Sequence, residues 1–335
     1  MSWKDKIKDT NITMLSAVKI KGFEIEETFT VGEGITNHTQ FQAASISKAV
    51  FAVGLLRLIE ERSLSLDVDI AEYCKMFKLL KLDGDPAKAT LRQLLSHTAG
   101  LNVHGFLGYT DPENLPTTLQ IINGELPSNS EKVMQVNAPG QHWKYSGGGY
   151  MLLQQMVEEM TGMDLPRFMD AYVLQPLKMS DSTYKQLPEE HISGYASMDP
   201  ASSYGYYFMP EHAAAGLWTT PSDLAKFGIH IQKILAGEKG LINCQFAQEM
   251  ITAQCADVFN HEGRRNCQMG LGLFLKSING KKFFGHSGGN VGFISVMNFS
   301  VEDGCGACIM VNDDSVGAIK FMLEMQRKLL EENNA

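Results

Sequence analysis

One segment limits the possible folds more than any other: Ser45-Ile-Ser-Lys-Ala-Val-Phe-Ala-Val-Gly-Leu-Leu-Arg-Leu-Ile-Glu-Glu61. Its apolar residues recur at helical spacing, and after Lys48 the next polar side chain is Arg57. A helix that is apolar all round over its first turns is stable only at the centre of a domain. The chain has 335 residues and 44% hydrophobic content, enough to enclose such a helix in a large core. At the start of the helix, Ser45 and Lys48 stand at i and i+3, on one face. Burying a lysine there disfavours its charged form and makes an amine base available near neutral pH. The competing interpretation is a helix-capping serine followed by a lysine whose ammonium reaches water.

Ser-x-x-Lys occurs three times, as Ser16…Lys19, Ser45…Lys48 and Ser182…Lys185. Ser16 and Lys19 lie in a stretch that reads as a strand, where positions three apart point to opposite faces. Ser182 follows Pro176-Leu177 and is closed off by Pro188, which leaves a loop with no room for a helix. Only Ser45 opens a helix. Two distant stretches bear on it: Tyr145-Ser146-Gly147 in a glycine-rich turn, and His286-Ser287-Gly288-Gly289 at the expected end of a strand. Together the three supply what acyl transfer through serine needs: a hydroxyl nucleophile, a lysine and a phenol to move its proton, and backbone N–H groups for the oxyanion.

Gly285-His-Ser-Gly-Gly289 also matches Gly-x-Ser-x-Gly, the nucleophile elbow of α/β-hydrolases, which would make Ser287 the nucleophile. Chain order argues against it. That fold needs an acid and then a histidine downstream of the serine, and the last of the nine histidines is His286. The elbow also leads into a helix, whereas Asn290-Val-Gly-Phe-Ile-Ser-Val-Met297 alternates like another strand.

These motifs make the chain resemble serine β-lactamase-like and penicillin-binding-protein-like hydrolases. It is most similar to the branch that holds class C β-lactamases, D,D-carboxypeptidases, D-aminopeptidases and family VIII carboxylesterases. Thr90-Leu-Arg-Gln-Leu-Leu-Ser-His-Thr-Ala-Gly-Leu101, Tyr145-Ser-Gly-Gly-Gly-Tyr150 and Ala215-Gly-Leu-Trp-Thr-Thr-Pro-Ser-Asp-Leu-Ala225 extend the resemblance over most of the chain. The resemblance implies Ser45 as acylated nucleophile, Lys48 and Tyr145 as proton-transfer pair, and an oxyanion hole from the N–H groups of Ser45 and Gly289. It further implies substrate contacts from His286, Ser287, Gly288 and Gly147, and no cofactor. Two positions depart from the family pattern. Gly147 stands where an asparagine usually helps to hold amide-bearing substrates, and His286 stands where many members have lysine. A neutral imidazole pulls less on a substrate carboxylate. Both departures favour an ester or amide substrate over a β-lactam.

Three functions stay open: a hydrolase of esters or small, D-configured amides; a β-lactamase or penicillin-binding D,D-carboxypeptidase; and a non-catalytic ligand-binding relative. The intact Ser45, Lys48 and Tyr145 weigh against the last.

His97, behind a short helix capped by Thr90, reads as a hydrogen-bonded structural residue, and Thr220-Pro-Ser-Asp223 reads as a capping box. A net charge of −9 without a basic cluster excludes nucleic-acid binding as an expected role. No apolar run approaches the roughly 18 residues of a membrane span. The charged start, Met1-Ser-Trp-Lys-Asp-Lys-Ile-Lys-Asp9, lacks the pattern of a signal peptide, so a cytoplasmic location is expected unless a leader has been removed. Cys305-Gly-Ala-Cys308 is a single pair in a buried-strand pattern, and the histidines lack ligand spacing, so free thiols and no metal are expected.

The expected fold is α/β (α+β). An antiparallel sheet of five or more strands, flanked by helices, is built from hairpins at 12–20/23–31, 268–277/281–286 and 291–300/305–311. A helix at 315–332 closes one face, with Ile319, Met322, Leu323, Met325 and Leu329 as its apolar stripe. Residues 1–55 and 205–335 would form the α/β part and 56–204 an inserted, mostly helical part, with the site in the cleft between them.

Overall fold

The computed structural model describes residues 6–186, 204–255 and 267–331. In chain order the elements begin with β1 (Leu15–Lys21), β2 (Glu24–Val31), β3 (Phe41–Gln42) and α1 (Ile46–Glu61). Then come α2 (Leu91–Leu95), α3 (Thr118–Asn123), α4 (Gly147–Thr161), α5 (Leu165–Met169), α6 (His212–Ala215), β4 (Trp218–Thr219), α7 (Pro221–Leu235) and α8 (Cys244–Met250). The chain ends with β5 (Gln268–Met269), β6 (Phe274–Ile278), β7 (Lys281–Asn290), β8 (Phe293–Ser300), β9 (Gly306–Val311) and α9 (Val316–Glu331).

Seven strands form one antiparallel sheet in the order β2-β1-β9-β8-β7-β6-β5, and β3 pairs with β4 apart from it. The hairpins follow from their turn residues. Gly22 and Phe23 have φ of 59° and 65°, and Asn279 and Gly280 have φ of 50° and 81°, the paired positive angles of a tight turn whose twist suits flanking strands. One face of the sheet packs Leu15, Ala17, Val296 and Ile309 against α9. On the other, Val18, Phe284, Met297 and Phe299 join the main core, with α1 buried inside it. The α1 helix runs through the expected 55/56 boundary, so the two-part division remains an expectation.

Three expectations need correction. The strand expected at 268–277 is two, β5 and β6, because Gly272 turns the chain at φ +74° and its N–H donates to the Leu95 carbonyl at 3.1 Å. His286 lies within β7 and not at its end, because Gly288 and Gly289 continue the ladder opposite Ser295 and Ile294. On α9, Ile319 and Leu323 are 41% and 56% exposed, and the buried stripe is Ala318, Phe321, Met322, Met325 and Leu329. Pro188, expected to close the loop that follows Ser182, lies among residues 187–203, outside the described residues.

Candidate active site

The chain enters the site from β3 through Ala44, a non-glycine residue at φ 49°. Such a backbone costs on the order of 1–3 kcal/mol and persists only when its surroundings hold it. Ser47 does the holding: its buried hydroxyl donates to the Ala44 carbonyl at 2.6 Å and accepts from the Leu217 N–H at 2.9 Å. Ser45 therefore stands at a fixed position at the head of α1. Its hydroxyl makes no capping hydrogen bond.

Lys48 does not reach water. It is 2% exposed, and its Nζ donates to Ser45 Oγ at 3.2 Å and to the Ala214 carbonyl at 2.7 Å. Burial draws its pKa down to about 7. The capping-serine and solvent-reaching-lysine interpretation is thereby excluded.

Tyr145 presents its ring to the same amine, with Lys48 Nζ 5.0 Å from the ring centroid. Aromatic groups surround it: His97 at 4.2 Å, His104 at 5.1 Å, Trp143 at 6.1 Å and, stacked at 6.4 Å, Phe274. His97 also grips the backbone on both sides of Tyr145. Its Nδ1 accepts from the Ser146 N–H at 3.1 Å and its carbonyl from the Lys144 N–H at 2.9 Å. An accepting Nδ1 assigns the ring proton to Nε2, and burial first, then the charge of Lys48, holds the imidazole pKa well below its ordinary value. The structural role expected for His97 thus extends to positioning Tyr145.

The third motif comes from β7. β6 pairs with β7 only as far as Gly285, so among the described residues no strand covers that edge of β7 from His286 to Asn290. His286 is buried, with Nδ1 hydrogen-bonded to the Ser287 carbonyl at 2.6 Å and its ring 4.9 Å from Phe274 and 6.3 Å from Tyr145. At Gly288 a Cβ would stand 2.1 Å from the Ala43 carbonyl oxygen and 2.9 Å from the Ser45 nitrogen. Only glycine lets β7 pass this close to the Ser45 N–H. Gly289 is exposed, and nothing stands where its Cβ would be.

Two expected contact residues sit differently. Ser287 lies opposite Val296, which packs on the α9 side, so its side chain points away from the face that carries His286. Gly147 is buried in the first turn of α4, where a Cβ would meet the Phe106 ring at 2.8 Å. Sequence reading missed Phe106, Trp143 and Phe274 as neighbours of the site, and the Ala214 carbonyl as a partner of Lys48. Among the described residues no group of three or more His, Cys, Asp or Glu could hold a metal, and no helix is long and apolar enough to cross a membrane. Asp223, expected to cap α7, leaves that to Thr220 and accepts instead from the Asp181 N–H, Ser182 Oγ and Lys226 Nζ.

The model of the beta-lactamase family matches residues 26–328. Esterase EstB of Burkholderia gladioli is 29% identical over 168 residues, 48% of this chain and 43% of that protein. Penicillin-binding protein 4* of Bacillus subtilis is 26% identical over 179 residues, 52% of this chain and 36% of that protein. These matches span less than half the length of either relative. Among solved structures, the D-amino acid amidase of Ochrobactrum anthropi SV3 superposes with a TM-score of 0.77 at 18% identity, covering 99% of this chain and 97% of that one. The beta-lactamase/D-alanine carboxypeptidase of Yersinia pestis gives 0.77 at 16% identity, covering 99% and 96%. The fold is shared with both.

Proposed function

The chain belongs to the β-lactamase family, and we propose that it is a serine hydrolase that forms an acyl-enzyme on Ser45 and acts on small esters or (D-)amino-acid amides and peptides. The observation that carries this reading is the Lys48 amine, buried and 3.2 Å from Ser45 Oγ, with its pKa near 7. At neutral pH a large fraction of that amine is unprotonated and can accept the serine proton.

Ser45 Oγ attacks the substrate carbonyl carbon while its proton passes to Lys48, with Tyr145 as the second member of the transfer pair. The N–H groups of Ser45 and Gly289 receive the oxyanion, each donor worth on the order of 3 kcal/mol. Collapse of the tetrahedral intermediate breaks the bond to the leaving alcohol or amine, which takes the proton. Water then attacks the acyl-enzyme and returns Ser45 to its hydroxyl form.

His286 in place of a lysine supports esters and uncharged amides over β-lactams. Two of the four proteins compared with this chain, an esterase and an amidase, agree with that preference. The likeness to a beta-lactamase/D-alanine carboxypeptidase supports the second reading, a β-lactamase or D,D-carboxypeptidase. The two are separated by incubating the protein with a fluorophosphonate, a chromogenic cephalosporin and a short-chain nitrophenyl ester, and locating the adduct by mass spectrometry. The proposal expects an adduct on Ser45 and ester turnover above cephalosporin turnover. Efficient cephalosporin turnover would favour the second reading.

A further inference from the structure

We propose that Phe106 is a specificity-determining residue, giving the substrate pocket an apolar wall at Gly147, two residues from Tyr145, that selects esters carrying a short apolar group. The assignment rests on the serine-hydrolase reading of Ser45.

The loop that carries Phe106 is docked on the head of α4. The Val103 carbonyl accepts from Ser146 Oγ at 2.8 Å and from the Gly148 N–H at 3.2 Å, and the His104 carbonyl accepts from the Gly147 N–H at 2.8 Å. These bonds satisfy N–H groups that a helix start otherwise leaves without partners. They also fix the loop one residue from the phenol that serves Ser45. The His104 ring then lies 5.1 Å from Tyr145. Two atoms of the Phe106 ring lie 2.8 Å and 3.4 Å from the point where a side chain at 147 would begin.

Gly147 and Phe106 therefore form a pair: the absence of a side chain at one makes room for the ring of the other. Phe106 is half-buried, packed on the core along one side and open on the other. A ring in this place offers a substrate dispersion and burial but no hydrogen bond, so polar groups that lose water against it stay unpaired. It also takes up volume, which limits the length of an apolar group beside it.

Phe106→Ala and the milder Phe106→Leu are compared with the unmodified protein on two ester series. In one, the acyl chain runs from acetate to octanoate on a constant nitrophenol; in the other, a constant acyl group is paired with alcohols of increasing length. The long-to-short ratio of kcat/KM should rise about tenfold in one series for Phe106→Ala, and by less for Phe106→Leu. Ser45 should remain reactive to fluorophosphonate in all three proteins. Ratios unchanged within about twofold in both series, with Ser45 still labelled, would overturn the role of Phe106 and leave the hydrolase reading standing. Absence of labelling at Ser45 in the unmodified protein would overturn that reading and this assignment with it.

Discussion

The Lys48 amine lies 3.2 Å from the Ser45 hydroxyl inside a core that leaves it 2% exposed. Burial alone, with no neighbouring charge, lowers the pKa of this amine, and on the proposed reading of Lys48 as the base two consequences follow for its pH behaviour.

Activity on an uncharged ester should rise with pH through about 7, the pKa to which burial draws Lys48, and then level off. The sign follows from the neutral amine being the proton acceptor. A profile of kcat/KM between pH 5 and 9 checks it. A flat profile would remove Lys48 as the base.

Stability should move in the opposite sense when Lys48 is replaced. The unfolded lysine keeps its proton up to about pH 10.4, whereas the folded one loses it near 7. Between those values the unfolded state binds more protons, so the folding penalty of this lysine shrinks as pH rises. Lys48→Met should abolish acylation and raise the Tm, with the gain in stability falling by about 2 kcal/mol between pH 7 and pH 9. Denaturant unfolding at the two pH values checks it.

His97 should prove a positioning residue. His97→Ala removes the ring against Tyr145 and leaves the buried Ser146 N–H without its acceptor, at a cost of about 3 kcal/mol in stability. We expect kcat to fall about a hundredfold with a smaller change in KM. His97→Asn should recover part of both losses, because asparagine tolerates the φ of 59° found here and can accept the same N–H. Equal losses in the two variants would contradict the positioning role.

Gly147 and Phe106 should couple. Gly147→Ala alone must displace the Phe106 ring, and in a Phe106→Ala background it should cost at least 1 kcal/mol less, measured by a double-mutant cycle. The place of Gly147 in its motif, where relatives usually carry asparagine, by itself predicts that Gly147→Asn raises cephalosporin hydrolysis relative to ester hydrolysis. The packing of Phe106 revises this: the gain should need both Gly147→Asn and Phe106→Ala, compared in the same cephalosporin and ester assays.

The sequence made the central helix legible because nothing but burial suits eight successive positions without a polar side chain between Lys48 and Arg57. The Asn279-Gly280 hairpin was legible because its turn requires two positive φ angles. The extent of β7 was not, because Gly288 and Gly289 look like turn residues, whereas both continue the ladder and Gly288 is there for the close approach to Ala43 and Ser45. The buried face of α9 was legible at Met322, Met325 and Leu329 but not at Ile319 and Leu323, which with Val316 form a neighbouring apolar stripe that faces outward. Phe106 left no local signal at all. Its place is set by hydrogen bonds from α4, some forty residues further along the chain.

The most direct test of the account is the identity of the labelled serine. Fluorophosphonate treatment followed by peptide mass spectrometry should find the adduct on Ser45, with labelling abolished in Ser45→Ala and retained in Ser287→Ala. An adduct on Ser287, or labelling that survives Ser45→Ala, would contradict it.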